Sequence, residues 1–268
     1  MSNLSSSDFY TRLISTLVLG PIVIFFAWLG GYWFVALMGF IAIVMYWEWT
    51  IMTRRNVDIR RDALALLCIV ALIIAMLLHA GVMIIGVSLF LMLAGGGLVR
   101  FFRQKWGWSV AGIGVASNLA LCLIYIRTSE GLGYSGLTLL MFLCFSVWAA
   151  DIFAYLVGRT IGGPKLMPKI SPKKTWSGFL GGLSGAVAAG SLVALFTPMS
   201  NQMALFALIA FILALAAQIG DLLESAIKRR FNVKDASRLI PGHGGILDRV
   251  DGLTLAAFVF VAICAIGL

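Results

Sequence analysis

An all-α, polytopic membrane protein with about nine transmembrane helices and a cytoplasmic N-terminus is the architecture expected of this chain. Three observations lead there. The 268 residues are 61% hydrophobic and only 12% charged, with a mean hydropathy of +1.02, whereas soluble domains are about half apolar and a quarter charged. Apolar stretches of the roughly 17–25 residues that cross a bilayer recur along the whole chain. The connections between them alternate between nearly uncharged and strongly basic. A secreted disulfide scaffold, a disordered chain and an ordinary cytosolic enzyme are excluded.

The expected spans follow in order. The segment MSNLSSSDFYTR has no cationic region ahead of the first apolar stretch and no small-residue cleavage site after it, so it reads as a polar lead-in and not as a removable signal peptide. Spans are expected at Leu13–Leu29, Tyr32–Met52, Ala63–His79, Val82–Val99 and Ser109–Ile126. Gly136–Gly158, Gly178–Pro198, Met203–Leu222 and Leu253–Leu268 complete the nine. Within span seven, Gly178/Gly182 and Gly181/Gly185 have the spacing of close helix packing. The four cysteines lie in apolar runs without metal-ligand spacing and read as small buried hydrophobes.

Orientation follows from loop charge. Nineteen of the twenty Lys and Arg residues fall on one side of the nine-span topology, leaving only Arg127 on the other. Basic loops stay in the cytoplasm, which puts the N-terminus inside and the C-terminus outside. Topology and attraction to anionic headgroups account for the first two basic loops. The last two also carry dense Gly, Pro, His and Asp, and no loop is long enough for a soluble domain. The whole of 1–268 is one integral membrane domain, with N-terminal spans in 1–130 and the chemistry-bearing loops in 131–268.

Charges at membrane depth cost about 2.5–3.5 kcal/mol each on insertion scales and point to function. Glu48, in YWEWT, reads as an interfacial carboxylate in an aromatic belt; Asp151 is open between a buried polar contact and a site residue. Asp221 stands apart. In QIGDLLESAIKRR, positions 221, 225 and 228 recur at helical spacing, which lines Asp221, Ser225 and Lys228 along one face with Arg229 at its edge. The following Pro241-Gly242-His243-Gly244-Gly245 lets backbone approach a ligand and aim successive N–H groups at an anion. Asp248 and Asp251, three apart, share a face if the final helix begins there. They could complement a helix N-terminus, but with Asp221 they read as a hard-cation site of the type that suits Mg²⁺ and phosphate. Lys173 and Lys174, in SPKKTWSG, add phosphate-neutralising charge.

Ser225-x-Ile227-Lys228-Arg229, then Lys234-Asp235-x-Ser237-x-x-Ile240-Pro241-x-His243-Gly244-Gly245-Ile246-x-Asp248-Arg249-Val250-Asp251, resembles the signature of the phosphatidate cytidylyltransferase (CDP-diacylglycerol synthase) family. The stretches Asp151–Arg159 and Ser171–Gly178 also resemble it, except that the family usually has Glu where this chain has Ser177, so no role is carried onto Ser177. The resemblance implies transfer of a cytidylyl group from CTP to phosphatidate, releasing pyrophosphate, with Mg²⁺ required and room for a second cation. It assigns metal binding to Asp221, Asp248 and Asp251. Lys228 and Arg229 would hold phosphate beside Ser225, with Lys173 and Lys174 as further phosphate ligands and His243, Gly244 and Gly245 in the nucleotide pocket. A homodimer in the bacterial inner membrane, with the active site facing the cytoplasm and membrane lipids around it, is the family-level expectation. A CTP-dependent polyprenol kinase and an anion or phospholipid transporter are the alternatives; polarity concentrated at one face disfavours transport. Nucleic acid is not an expected partner, because the basic residues sit in membrane loops.

Overall fold

The computed structural model describes residues 20–53, 59–78, 81–100, 106–129, 131–240 and 244–266. Its helices are α1 (Gly20–Leu29), α2 (Gly31–Thr53), α3 (Ile59–Leu77), α4 (Gly81–Arg100), α5 (Gly107–Thr128), α6 (Gly136–Thr160), α7 (Trp176–Leu195), α8 (Met203–Arg230) and α9 (Leu247–Ile266). Among the described residues, six segments are long and apolar enough to cross a membrane: α2, α5, α6, α7, Pro198–Arg230 and α9. Gly20–Leu29, Asp62–Leu77 and Met83–Leu98 are apolar but shorter.

Most expected boundaries hold to within a few residues. The break between the first two helices falls at Gly30 and Gly31, whose φ values of +64° and +52° belong to the left-handed region that favours glycine. The last helix departs from expectation: it starts at Leu247, six residues before the expected Leu253, so Asp248 and Asp251 lie inside its opening turns. The loop between α6 and α7 is also more ordered than expected. It contains a short antiparallel pair, β1 (Lys165–Met167) and β2 (Ser171–Thr175), with Lys165 opposite Thr175 and Met167 opposite Ser171. The described residues are therefore helical with one small β-ribbon.

The chain divides into two compact units, Met1–Ile124 with Phe231–Val250, and Tyr125–Arg230 with Asp251–Leu268. The first has a core of Phe34, Met38, Met45, Tyr46, Ile69 and Leu119. Polar groups inside it find partners: Trp49 Nε1 donates to the Trp108 carbonyl at 2.7 Å, and Asn118 Nδ2 to Ser88 Oγ at 3.2 Å. In the second, Phe142 packs edge-on to Phe206 and tilted to Phe260, at 5.2 and 5.8 Å between ring centroids. The small residues of α7 act as expected. A Cβ added at Gly178 would lie 2.7 Å from the Ala154 carbonyl oxygen, and one at Gly182 would lie 2.8 Å from that of Ala150, so α6 and α7 approach backbone to backbone. Among the cysteines, Cys122 and Cys144 are buried and Cys264 is partly so, but Cys68 is exposed on α3, contrary to the expectation that all four are core residues.

Candidate active site

The polar residues that stood out in the sequence fall into two constellations, one in each unit. That of the second unit is built on α8. Its apolar stretch, with Leu213, Ala214 and Ala217 buried, gives way to polar positions at Gln218, whose Nε2 donates to the Phe179 carbonyl at 3.1 Å. One turn further, Asp221 accepts from Ser225 Oγ at 3.2 Å through Oδ1 and pairs with Lys174 Nζ at 2.5 Å through Oδ2. Lys174 reaches it from β2. The same strand ends at Thr175, which caps α7 by accepting from Gly178 N at 3.1 Å. Arg229 Nε donates to the Ile170 carbonyl at 3.2 Å, so the β-ribbon is tied to α8 at two points. Lys173, beside Lys174 in the strand, is exposed.

Ser225 thus joins Asp221 as the helical spacing predicts, and Lys228 is held by a neighbouring carboxylate. Its ammonium pairs with Glu224 Oε1 at 3.0 Å, and both side chains are about nine-tenths buried. Glu224 was not singled out from the sequence; its spacing of four from Lys228 was the available signal. Asp251, on α9, lies within electrostatic range of Asp221, Glu224 and Lys228, and its Oδ1 accepts from Gly252 N at 2.8 Å. A Cβ at Gly220 would come within 2.9 Å of the Asp251 carbonyl oxygen, and one at Gly252 within 3.0 Å of that of Ala217, so only glycines let α8 and α9 lie this close. Ser177, where the resembling family has Glu, donates to the Gly162 carbonyl and lies 3.1 Å from Thr175 Oγ1, a local role in shaping the turn before α7. Asp151 is exposed on α6.

The first unit holds the other constellation, around Phe231–Leu247. Asp248 Oδ2 accepts from the backbone N–H of Ala236 at 2.8 Å and of Gly245 at 2.9 Å. Gly244 has φ +80°, and an added Cβ there would lie 2.8 Å from the same carboxylate oxygen. Ile240 N donates to the Gly244 carbonyl at 2.7 Å, a bridge that brackets residues 241–243. His243 is among these and lies outside the described residues.

Glu48 is the largest correction to the sequence reading. It is not an interfacial carboxylate but is fully buried. Its Oε1 accepts from Ser237 Oγ at 2.7 Å and Ile246 N at 2.9 Å, and its Oε2 from Leu247 N at 2.7 Å. One carboxylate on α2 therefore holds both ends of the loop and the first backbone donors of α9, where helix N–H groups lack partners of their own and the dipole favours negative charge. Gly245 passes so close to Glu48 that an added Cβ would collide with the carboxylate. Ser237 was legible only as a residue of the signature.

Among the described residues, no three His, Cys, Asp or Glu side chains form a ready-made metal cage. Asp221 and Glu224 act electrostatically on Asp251 in the second unit, and all three are carboxylates. In donor chemistry alone, carboxylate oxygen is what a hard divalent cation of the Mg²⁺ type takes, one or two at a time, with water and substrate phosphate completing its shell.

Residues 10–266 match the model of the cytidylyltransferase family. A protein of Brucella abortus biovar 1 (strain 9-941) named phosphatidate cytidylyltransferase is 40% identical over 268 residues, which is 97% of this chain and 95% of the relative. Proteins of the same name from Rickettsia bellii (strain RML369-C) and Bacillus subtilis (strain 168) are 47% identical over 127 residues and 39% over 146. These alignments span 44% and 54% of this chain, and 54% and 52% of the respective relatives.

Proposed function

The chain belongs to the cytidylyltransferase family, and from that premise we propose that it transfers a cytidylyl group from CTP to phosphatidate, giving CDP-diacylglycerol and pyrophosphate. The observation that carries this reading is 40% identity to a phosphatidate cytidylyltransferase across 97% of the chain. The reaction makes two polyanions meet. An oxygen of the lipid phosphate attacks the α-phosphorus of CTP, the new P–O bond forms as the bond to the bridging α–β oxygen breaks, and pyrophosphate leaves. The attacking phosphate is already ionised at neutral pH, so positioning and charge neutralisation, not proton abstraction, are the demand on the protein.

The second unit's cations suit that demand. Lys174 sits beside Asp221, and Lys228 beside Glu224, each on a fixed backbone element. Either ammonium can turn from its carboxylate to a phosphate oxygen, with Arg229 and Lys173 at the exposed edge. Ser225 orients Asp221. In the first unit, Gly244 and Gly245 give close backbone approach, and His243 contacts the nucleotide. On the resemblance, Asp221, Asp248 and Asp251 hold Mg²⁺, and a second cation is compatible with the charge. When bound, the ion neutralises phosphate charge and aligns the attacking and leaving oxygens. The reading also has the enzyme as a homodimer in the bacterial inner membrane. Its three shorter apolar helices complete nine spans, with the N-terminus and active site facing the cytoplasm.

The test is incubation of the purified protein with CTP labelled at the α-phosphate, phosphatidate and Mg²⁺. Label must enter the lipid in step with pyrophosphate release. Label recovered only in soluble CDP would identify a lipid kinase and overturn the reading.

A further inference from the structure

The first unit contains an open groove of about 750 Å³ that the catalytic reading does not use. One wall is the end of α2, with Trp47, Ile51 and Met52; the other is the loop through Lys234, Ser237 and Arg238. Trp47 and Ile51 are each 48% exposed, and they continue a stripe of exposed apolar side chains, Phe40 and Ile43, spaced three or four residues apart along one face of a helix long enough to cross a membrane. The groove is thus apolar where it meets this exposed face of α2 and cationic at its other wall. Lys234 and Arg238 are exposed and, among the described residues, neither is in an ion pair. Asp235 also lines the groove, and its Cβ lies 3.5 Å from where a Cβ at Gly244 would be. The two walls are fastened together: Ser237 donates to Glu48, the neighbour of Trp47, at 2.7 Å.

We propose that this groove seats the lipid substrate, an anionic glycerolipid with a terminal phosphomonoester, with Lys234 and Arg238 on the phosphate and Trp47 and Ile51 against the acyl chains. Two cations match a dianionic phosphomonoester, and charge-assisted contacts to phosphate are strong when donors come as a set. The apolar wall selects a lipid over a free nucleotide, which has no chain to lay along α2. Amphipathic Trp at such a boundary serves both phases. The assignment deepens the proposed transfer reaction and rests on it for the identity of the lipid.

Two measurements on the full-length protein in nanodiscs test it. First, phosphatidate carrying a photoactivatable diazirine in one acyl chain is expected to label peptides spanning 47–52 or 233–239, with competition by unlabelled phosphatidate and not by phosphatidylcholine at the same mole fraction. Second, the double substitution Lys234→Ala with Arg238→Ala is expected to raise the KM for phosphatidate by about tenfold or more, as loss of hydrogen bonds to a charged group requires. The KM for CTP should stay within about twofold, and Lys234→Arg should retain low KM for the lipid. Labelling elsewhere in an active protein, or a rise in KM for CTP instead of the lipid, would overturn the groove assignment. Labelled but catalytically silent wild-type protein would overturn the transfer reading while supporting the groove.

Discussion

Replacing Glu48 by Gln changes one oxygen to an NH₂ group at constant volume and removes the charge. In the structure the two carboxylate oxygens accept three donors: Ser237 Oγ, Ile246 N and Leu247 N, all at 2.7–2.9 Å. The most favourable placement of the amide puts its oxygen at the Oε1 position, keeping Ser237 and Ile246. Its nitrogen then faces Leu247 N–H, donor against donor, in a site with no exposure to solvent. A hydrogen bond to a charged group is worth about 1.5–3 kcal/mol, and each 1.36 kcal/mol is a factor of ten. Opening of the 237–247 loop should become roughly 10- to 150-fold more frequent. Hydrogen exchange of the Leu247 amide in detergent micelles reads this directly, and kcat/KM for CTP should fall with it if the loop forms part of the nucleotide site. A companion pair of variants makes the test specific. Gly245→Ala drives a methyl group into the carboxylate and should be severely impaired, whereas adding Glu48→Asp, which draws the carboxylate back by one methylene, should restore part of the loss. Wild-type exchange at Leu247 in Glu48→Gln, or no relief in the double variant, would refute the clamp.

Three further outcomes follow from the same geometry. Asp248→Asn should abolish cytidylyl transfer while leaving membrane insertion intact; near-normal turnover would remove Asp248 from the proposed machinery. Lys174→Met leaves Asp221 without its 2.5 Å partner. Because that pair is about a quarter exposed, the stability cost should be under about 1 kcal/mol, while the KM for CTP rises about tenfold; the reverse pattern in thermal melting and steady-state kinetics would assign Lys174 to structure alone. Gly181→Leu forces carbon atoms against Val157, whose side chain already lies within 2.8 Å of an added Cβ. Overpacking of this kind costs typically about 1–3 kcal/mol, so a lowered melting temperature in detergent is expected, and an unchanged one would contradict the close α6–α7 packing.

Hydropathy made the helices legible because a bilayer imposes their length, and the glycine spacing of α7 announced close helix packing, whose partner is α6. The β-ribbon was not legible. SPKKT offers no alternation of apolar and polar residues, and its burial is set by the loop it closes. Glu48 was misread for a different reason. Its three donors lie 189 to 199 positions away in the chain, beyond any periodic pattern, so a carboxylate amid aromatics looked interfacial when it is the anchor of a distant loop. Lys228 lies on the helix face that its spacing predicts, and Glu224, four residues earlier and not singled out from the sequence, pairs with it.

These pairings alter the meaning of the chain's excess of nine positive charges. From sequence, the cations beside the signature look like counter-charge waiting for phosphate. In the second unit two of them, Lys174 and Lys228, are already engaged, and the carboxylates gathered there, Asp221, Glu224 and Asp251, outnumber them. A polyphosphate can recruit these ammonium groups only by withdrawing them from Asp221 and Glu224, which adds uncompensated negative charge to the cluster at the moment a polyanion arrives. Desolvated like charges are costly, so the exchange is favoured when further positive charge, from Arg229 and Lys173 at the edge or from an ion, offsets the released carboxylates. The resting ion pairs keep the two buried or half-buried lysines in place without the substrate, and on the proposed reading they would tie occupation by nucleotide to entry of the divalent ion.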